Sequence, residues 1–197
     1  MRLLPKWIQD IAKNITANEN IRPDLAGVHV SNTHVSATNS FIAIRVELPK
    51  TESSKYPGKN MELLPEGWIF ISKSALAKIK FSKNNLTPIL NENAVIRSID
   101  ENTISIVVDD LDTEIQYKSK LITTKMPDIK EFHKKISESP KTHSIAFSIS
   151  YMQDMLATFK AMWFENMRLH THEEQWIILT TYDYPCDSWW IIMPLKP

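Results

Sequence analysis

The stretch HTHEE, residues 170–174, sets two histidines and two glutamates side by side. Side chains two apart on a strand share a face, so His170 and His172 would project together. Glu174 or the distant Cys186 could then complete a zinc site. A solvated strand end explains the same residues and is the preferred reading. The acidic run DDLD, residues 109–112, offers carboxylates for magnesium, but its place between two strand-like segments reads as a hairpin turn. His29, His34, His133 and His143 stand at no spacing from a serine or cysteine that suggests a catalytic triad. Glycine occurs only at positions 27, 58 and 67, so GxxxxGK[ST], GxGxxG and GxSxG are all missing. The expectation is a protein that is not an enzyme and needs no cofactor.

The chain ends SWWIIMPLKP, residues 188–197, a run whose apolar side chains would make a frayed tail sticky and prone to strand pairing. A paired strand with a used surface fits it better. Lys plus Arg and Asp plus Glu both number 23 in 197 residues, so contact with a polyanion has to come from local charge placement. One cysteine excludes an internal disulfide framework and fits a reducing compartment. With no apolar run of spanning length and no long apolar core in MRLLPKWIQD, a cytoplasmic protein with no membrane contact is expected.

The elements that position these residues recur. LLPKWIQDIAKNITANEN places Trp7, Ile8, Ile11 and Ile15 at helical spacing, and AGVHVS with THVSATNSFIAIRVEL reads as two or three strands. KTESSKYPGKNMELLPEG is a long connection. A second cycle follows: the strand GWIFIS, the helix KSALAKIKF with Leu76 and Ile79 inward, then strands at NAVIRSI, TISIVVDD and TEIQYKSKLI. A third takes SIAFSIS as a strand, YMQDMLATFKA as a helix, and NMRLHTH, QWIILTTY and SWWIIMPL as strands. Strand, helix and three strands repeat about every 50 to 60 residues, with an opening strand for the first unit near Met1 to Leu4. The expected class is α+β.

Within these units, IRPDLAGVHV, ATNSFIAI, KLITTKMPDIKEF, FSISYMQDML and WWIIMPLK follow one another in an order that resembles the bacterial DNA sliding clamp, the β subunit of DNA polymerase III. The likeness makes residues 1–135 a complete clamp-like domain of two units and 136–197 a C-terminal half-domain, the third unit. It implies the DNA clamp architecture, three βαβββ-type units with antiparallel sheets on one side and helices on the other. A full ring in that family has twelve units, so three per chain favour a homo-tetramer, with a dimer or trimer open.

The resemblance also implies partners. Leu25, Thr38, Ser40, Ile191, Ile192, Met193 and Pro194 would line a hydrophobic groove for short peptides from a DNA polymerase and other clamp-binding proteins. Here Asn39, Ser40, Phe41, Ile42 and Ala43 replace the family's Asp-Gly-His-Arg-Leu, which makes the groove more apolar. Lys6, Lys13, Arg22, Lys73, Lys78, Lys80 and Lys160 would touch duplex DNA without regard to sequence, and a separate clamp loader is implied. The resulting expectation is a processivity factor that closes into a ring. The alternative is a clamp-like interaction protein that captures clamp-binding peptides, or another clamp, and forms no ring.

Overall fold

A computed structural model describes residues 2–48, 68–81, 88–100, 103–109, 111–120, 128–138, 147–171, 177–181 and 188–193. The first unit runs β1 (Arg2–Pro5), α1 (Ile8–Asn14), a 3₁₀ turn (Pro23–Leu25), β2 (Gly27–Val30), β3 (His34–Thr38) and β4 (Ile42–Glu47). The second comprises β5 (Ile69–Ser72), α2 (Lys73–Lys78), α3 (Pro88–Glu92), β6 (Asn93–Asp100), β7 (Thr103–Asp109) and β8 (Glu114–Lys120). After α4 (Ile129–Ser137) come α5 (Ile149–Ala161), β9 (Met167–Thr171), β10 (Ile177–Thr181) and β11 (Trp189–Ile192). The opening strand expected near the N-terminus is β1. Ile149 and Ser150, expected as the end of a strand, are the first residues of α5.

Pairing exchanges strands between the first two units. One sheet has the order β1-β6-β7-β8 and the other β5-β2-β3-β4-β11-β10-β9, with every pair antiparallel. Each unit's opening strand therefore joins the other unit's sheet, β1 beside β6 and β5 beside β2. The third unit attaches differently, through β11 on the outer edge of β4, with Trp190 opposite Ile44 and Ile192 opposite Ile42. Gly27 is needed where β2 meets β5, because a Cβ there would stand 2.4 Å from the Ile71 carbonyl oxygen.

Burial explains the residue types. Ile8, Ile11 and Ile15 of the first helical segment, Leu76 beneath α2, and Met155 and Phe159 of α5 pack on the strand residues Val28, Val35, Ile44, Ile71, Ile106 and Trp190 in one core. Thus α1, α2 and α5 form a layer on one side of both sheets, with α1 in contact with each of the other two. β11 lies inside its sheet and is buried on both faces. Trp190 and Ile192 face the helix layer, whereas Trp189 and Ile191 join Ala43, Ile178, Ile129 and Ile136 on the opposite side. Double-sided burial is what makes WWII continuously apolar.

Two helices depart from the expected arrangement of helices on a single side. α4 covers the far face of the seven-stranded sheet through Ile129 and Ile136, and α3 covers the far face of the other sheet, where Leu90 meets Val95 and Val107. The sequence division after residue 135 falls inside α4. Among the described residues no helix is long and apolar enough to cross a membrane.

Candidate functional site

The turn between β3 and β4 builds one wall of an apolar groove. Asn39 Oδ1 accepts from the backbone N–H groups of Phe41 and Ile42, both at 2.9 Å, and the Thr38 hydroxyl donates to the Ile42 carbonyl at 2.8 Å. Between them Ser40 adopts φ 80°, in the left-handed region that short polar residues tolerate. These bonds fix the turn and turn Phe41 outward, 52% exposed, with its ring stacked on Tyr151 at 5.5 Å. The Met193 N–H donates to the Phe41 carbonyl at 2.8 Å, which carries the β4–β11 pairing one residue past Ile192 and sets Met193 beside the turn.

The opposite wall is the start of α4. Asp128 caps it, accepting from the Glu131 N–H at 2.8 Å, and Ile129 and Phe132 follow on one side. Between the walls is an open cavity of about 280 Å³ lined by Phe41, Ile42, Ala43, Phe132, Ile191 and Met193, with Thr38, Ser40 and Asp128 supplying the polar rim. A half-buried methionine and two partly exposed phenylalanines can re-pack around an apolar guest. Next to this groove, His133 stacks on Trp189 at 4.3 Å, which holds the middle of α4 against β11.

Of the groove residues expected from sequence, Thr38, Ser40, Ile191 and Met193 meet at this cavity. Ile192 does not line it, because strand alternation buries its side chain in the main core on the other face. Leu25 is buried in the 3₁₀ turn and does not line it either, and Pro194 lies outside the described residues. Sequence reasoning missed the α4 contribution of Asp128, Ile129 and Phe132. A signal existed: an Asp followed three residues later by Glu, with apolar residues at 129, 132 and 136, is a capped amphipathic helix.

The basic residues distribute unevenly. Lys13, Lys78 and Lys160 are exposed on α1, α2 and α5, the three packed helices. Lys6 is exposed just ahead of α1, and Lys80 just beyond α2, where its backbone N–H donates to the Tyr117 hydroxyl at 3.0 Å. Lys73 Nζ donates to the Lys13 carbonyl at 3.0 Å, so this ammonium ties α2 to the C-terminal end of α1. Arg22 pairs with Asp24 at 3.3 Å and reaches the Ser40 hydroxyl at 3.4 Å, which puts it at the groove rim and not on the helix layer.

His170 sits on β9 with its Nε2 3.4 Å from the Thr180 hydroxyl oxygen, while His172, Glu173, Glu174 and Cys186 lie outside the described residues, as does His143. No group of three His, Cys, Asp or Glu side chains converges among the described residues. At the DDLD turn, Asp109 Oδ1 accepts from the Leu111 N–H at 2.7 Å, with Leu111 at φ 78°. One acidic side chain is therefore part of the turn's own bonding.

Strand-exchanged repeats with α1, α2 and α5 layered on one side and units joined edge to edge define a class: the chain has the fold of DNA sliding clamps. It is similar in structure to the β chain of DNA polymerase III from Streptococcus pneumoniae, at TM-score 0.58 and 14% identity over 100% of this chain and 64% of that one. It is likewise similar to the DNA polymerase III β subunit of Borrelia burgdorferi, solved with a natural product, at TM-score 0.59 and 10% identity over 99% of this chain and 64% of that one. A PCNA2–PCNA3 complex from Sulfolobus tokodaii matches at TM-score 0.54 and 8% identity, over 98% of both chains. No protein-family model matches the chain, and no curated protein matches it in sequence. The chain thus spans less than two thirds of the length of these two bacterial subunits, and identities this low speak for the fold alone.

Proposed function

We propose that this protein is a sliding-clamp-like processivity factor, which self-associates into a ring around duplex DNA and tethers partner peptides in the groove between the β3–β4 turn, β11 and α4. One observation carries this: the apolar groove and the lysine-bearing helix layer occupy opposite faces of the seven-stranded sheet. DNA inside and a peptide outside could then be held at once, with no competition for surface. Loose phosphate contacts through lysines permit sliding, and tethering raises the effective concentration of a polymerase at the template. Three units per chain favour four chains in a closed ring, and threading DNA through a closed ring calls for a separate ATP-driven loader.

Enclosure and tethering are tested in one preparation. Chains dissociated by dilution and reassembled around nicked circular DNA, which needs no loader, should survive a high-salt wash and be lost once the circle is cut, because a ring slides off an end; equal loss from both forms removes the ring. An apolar clamp-binding peptide should bind the assembly, and Met193→Glu with Phe132→Ser should weaken it at least tenfold without changing the assembly mass. Unchanged peptide affinity in that variant removes the groove.

A further inference from the structure

β8 ends its sheet, and no described strand covers its outer edge. This is unusual for its place in the repeat. β4, β8 and β11 are the last strands of the three units, and β4 and β11 pair with each other, antiparallel, edge to edge. Among the described strands of one chain, the last strand of the second unit is left over. Its side chains record that: β4 is largely buried, whereas Glu114, Ile115, Gln116, Lys118 and Lys120 are exposed. Ile115 is the telling residue. It lies opposite Val108, on the face where Val108 and Ile106 are buried, yet remains 46% exposed at the rim of that core.

We infer that the partner of β8 is β8 of a second copy of this chain, paired antiparallel about a two-fold axis. The inference rests on the self-association proposed above and specifies its geometry. Charge supports it. Glu114, which also pairs with Arg97 of its own sheet at 3.5 Å, stands at one end of the strand and Lys118 and Lys120 at the other, all three on the face that Gln116 shares with Ser105. An antiparallel copy brings each Glu114 opposite Lys118 or Lys120 of its mate, in two symmetric sets. On the other face the two copies of Ile115 close the exposed rim of the core beside Tyr117. A head-to-tail ring would join a last strand to an unlike edge; the chain's own last-strand joint, β4 to β11, is of like to like. Chains joined this way alternate in direction, so neighbours relate by two-folds and the number of chains in a closed ring is even.

Two experiments read this geometry directly. Glu114→Lys makes the strand wholly basic, and the double change Lys118→Glu, Lys120→Glu makes it wholly acidic. Each variant alone should fall to half the wild-type mass, and an equimolar mixture should return to the wild-type mass, because only β8 against β8 makes the two complementary. In a Cys186→Ser background, single cysteines stepped through positions 115 to 118 should form a disulfide between copies at the position on the axis, since directly opposed residues lie within disulfide reach. An assembly of wild-type mass that neither variant splits, with no self-crosslink anywhere in the scan, overturns the two-fold joint and leaves the ring standing. A wild-type protein with the mass of a single chain overturns both.

Discussion

At the scale of single residues, the groove shows both what sequence discloses and what it hides. WWII is legible as a strand because its composition suits nothing else, yet a run of four apolar residues does not display the alternation that tells one face from the other. Ile191 and Ile192 thus look equivalent, although one lines the groove and the other fills the core. His29 is a second case, silent in sequence and specific in structure. It is 3% exposed on β2, its ring lies edge-on to Phe70 at 4.9 Å, and among the described residues neither ring nitrogen has a hydrogen-bond partner. Burial pushes its pKa down from 6.5 to about 4. Between those values the unfolded chain takes up a proton that the folded chain refuses. The stabilising effect of the neutral ring is therefore complete above pH 6.5 and is lost as pH falls toward about 4. At roughly 1.4 kcal/mol per pH unit, the loss reaches on the order of 3 kcal/mol. Urea midpoints should fall across this window, and His29→Leu should flatten the upper part of it, above the range where carboxylates titrate. An equal slope in both proteins would show that His29 is protonated in the fold.

At the scale of elements, strand positions were legible and their partners were not. β6, β7 and β8 fall on NAVIRSI, TISIVVDD and TEIQYKSKLI because β-branched residues bounded by polar turns mark strands wherever they pair. That β1 crosses to β6 while β5 crosses to β2 depends on contacts between residues 39 to 94 apart in the chain, to which local pattern is blind. Helix contacts show the same limit. The polar face of α1 reads as a surface, yet Gln9 Nε2 donates to the carbonyls of Leu76 and Ile79, both at 2.8 Å, and Asn14 Nδ2 donates to the Thr158 hydroxyl at 3.3 Å. α1 is thus bonded to α2 on one side and α5 on the other. α2 has six residues and could not persist alone, so the Gln9 amide supplies N–H donors to its last carbonyls that a longer helix would provide itself. Gln9→Ala should cost about 1 kcal/mol of stability, because the Ile79 carbonyl loses its Gln9 donor whereas the Leu76 carbonyl keeps the Ile79 N–H at 3.2 Å. Its distinguishing mark would be faster amide exchange in α2 than in α1. A loss below about 0.5 kcal/mol would mean that water replaces the amide, as it does at exposed helix ends.

At the scale of the whole molecule, a repeated unit was readable because composition recurs with it, whereas the direction in which units join resides in sheet edges. Charge behaves similarly. With 23 basic and 23 acidic side chains the chain has no global attraction for DNA, so the proposed binding would have to arise from where cations sit. The helix layer offers Lys13, Lys78 and Lys160, one exposed on each of its three packed helices. Lys73 is a poor probe despite its neighbourhood, since its ammonium already bonds the Lys13 carbonyl and replacing it would loosen α2. The informative variant reverses Lys13, Lys78 and Lys160 to glutamate together. Each phosphate contact releases condensed counterions, and removing one lowers the slope of log affinity against log salt by about 0.9. The triple variant should therefore bind duplex DNA more weakly at low salt, with a shallower slope, and converge on the wild type as salt rises and screening takes over. Because none of these lysines belongs to β8 or lines the groove, assembly mass and peptide affinity should stay as in the wild type. Weakened binding with an unchanged slope would mean that the three substitutions distort the helix layer without having touched phosphate. Unchanged binding would move the DNA contact off α1, α2 and α5 altogether.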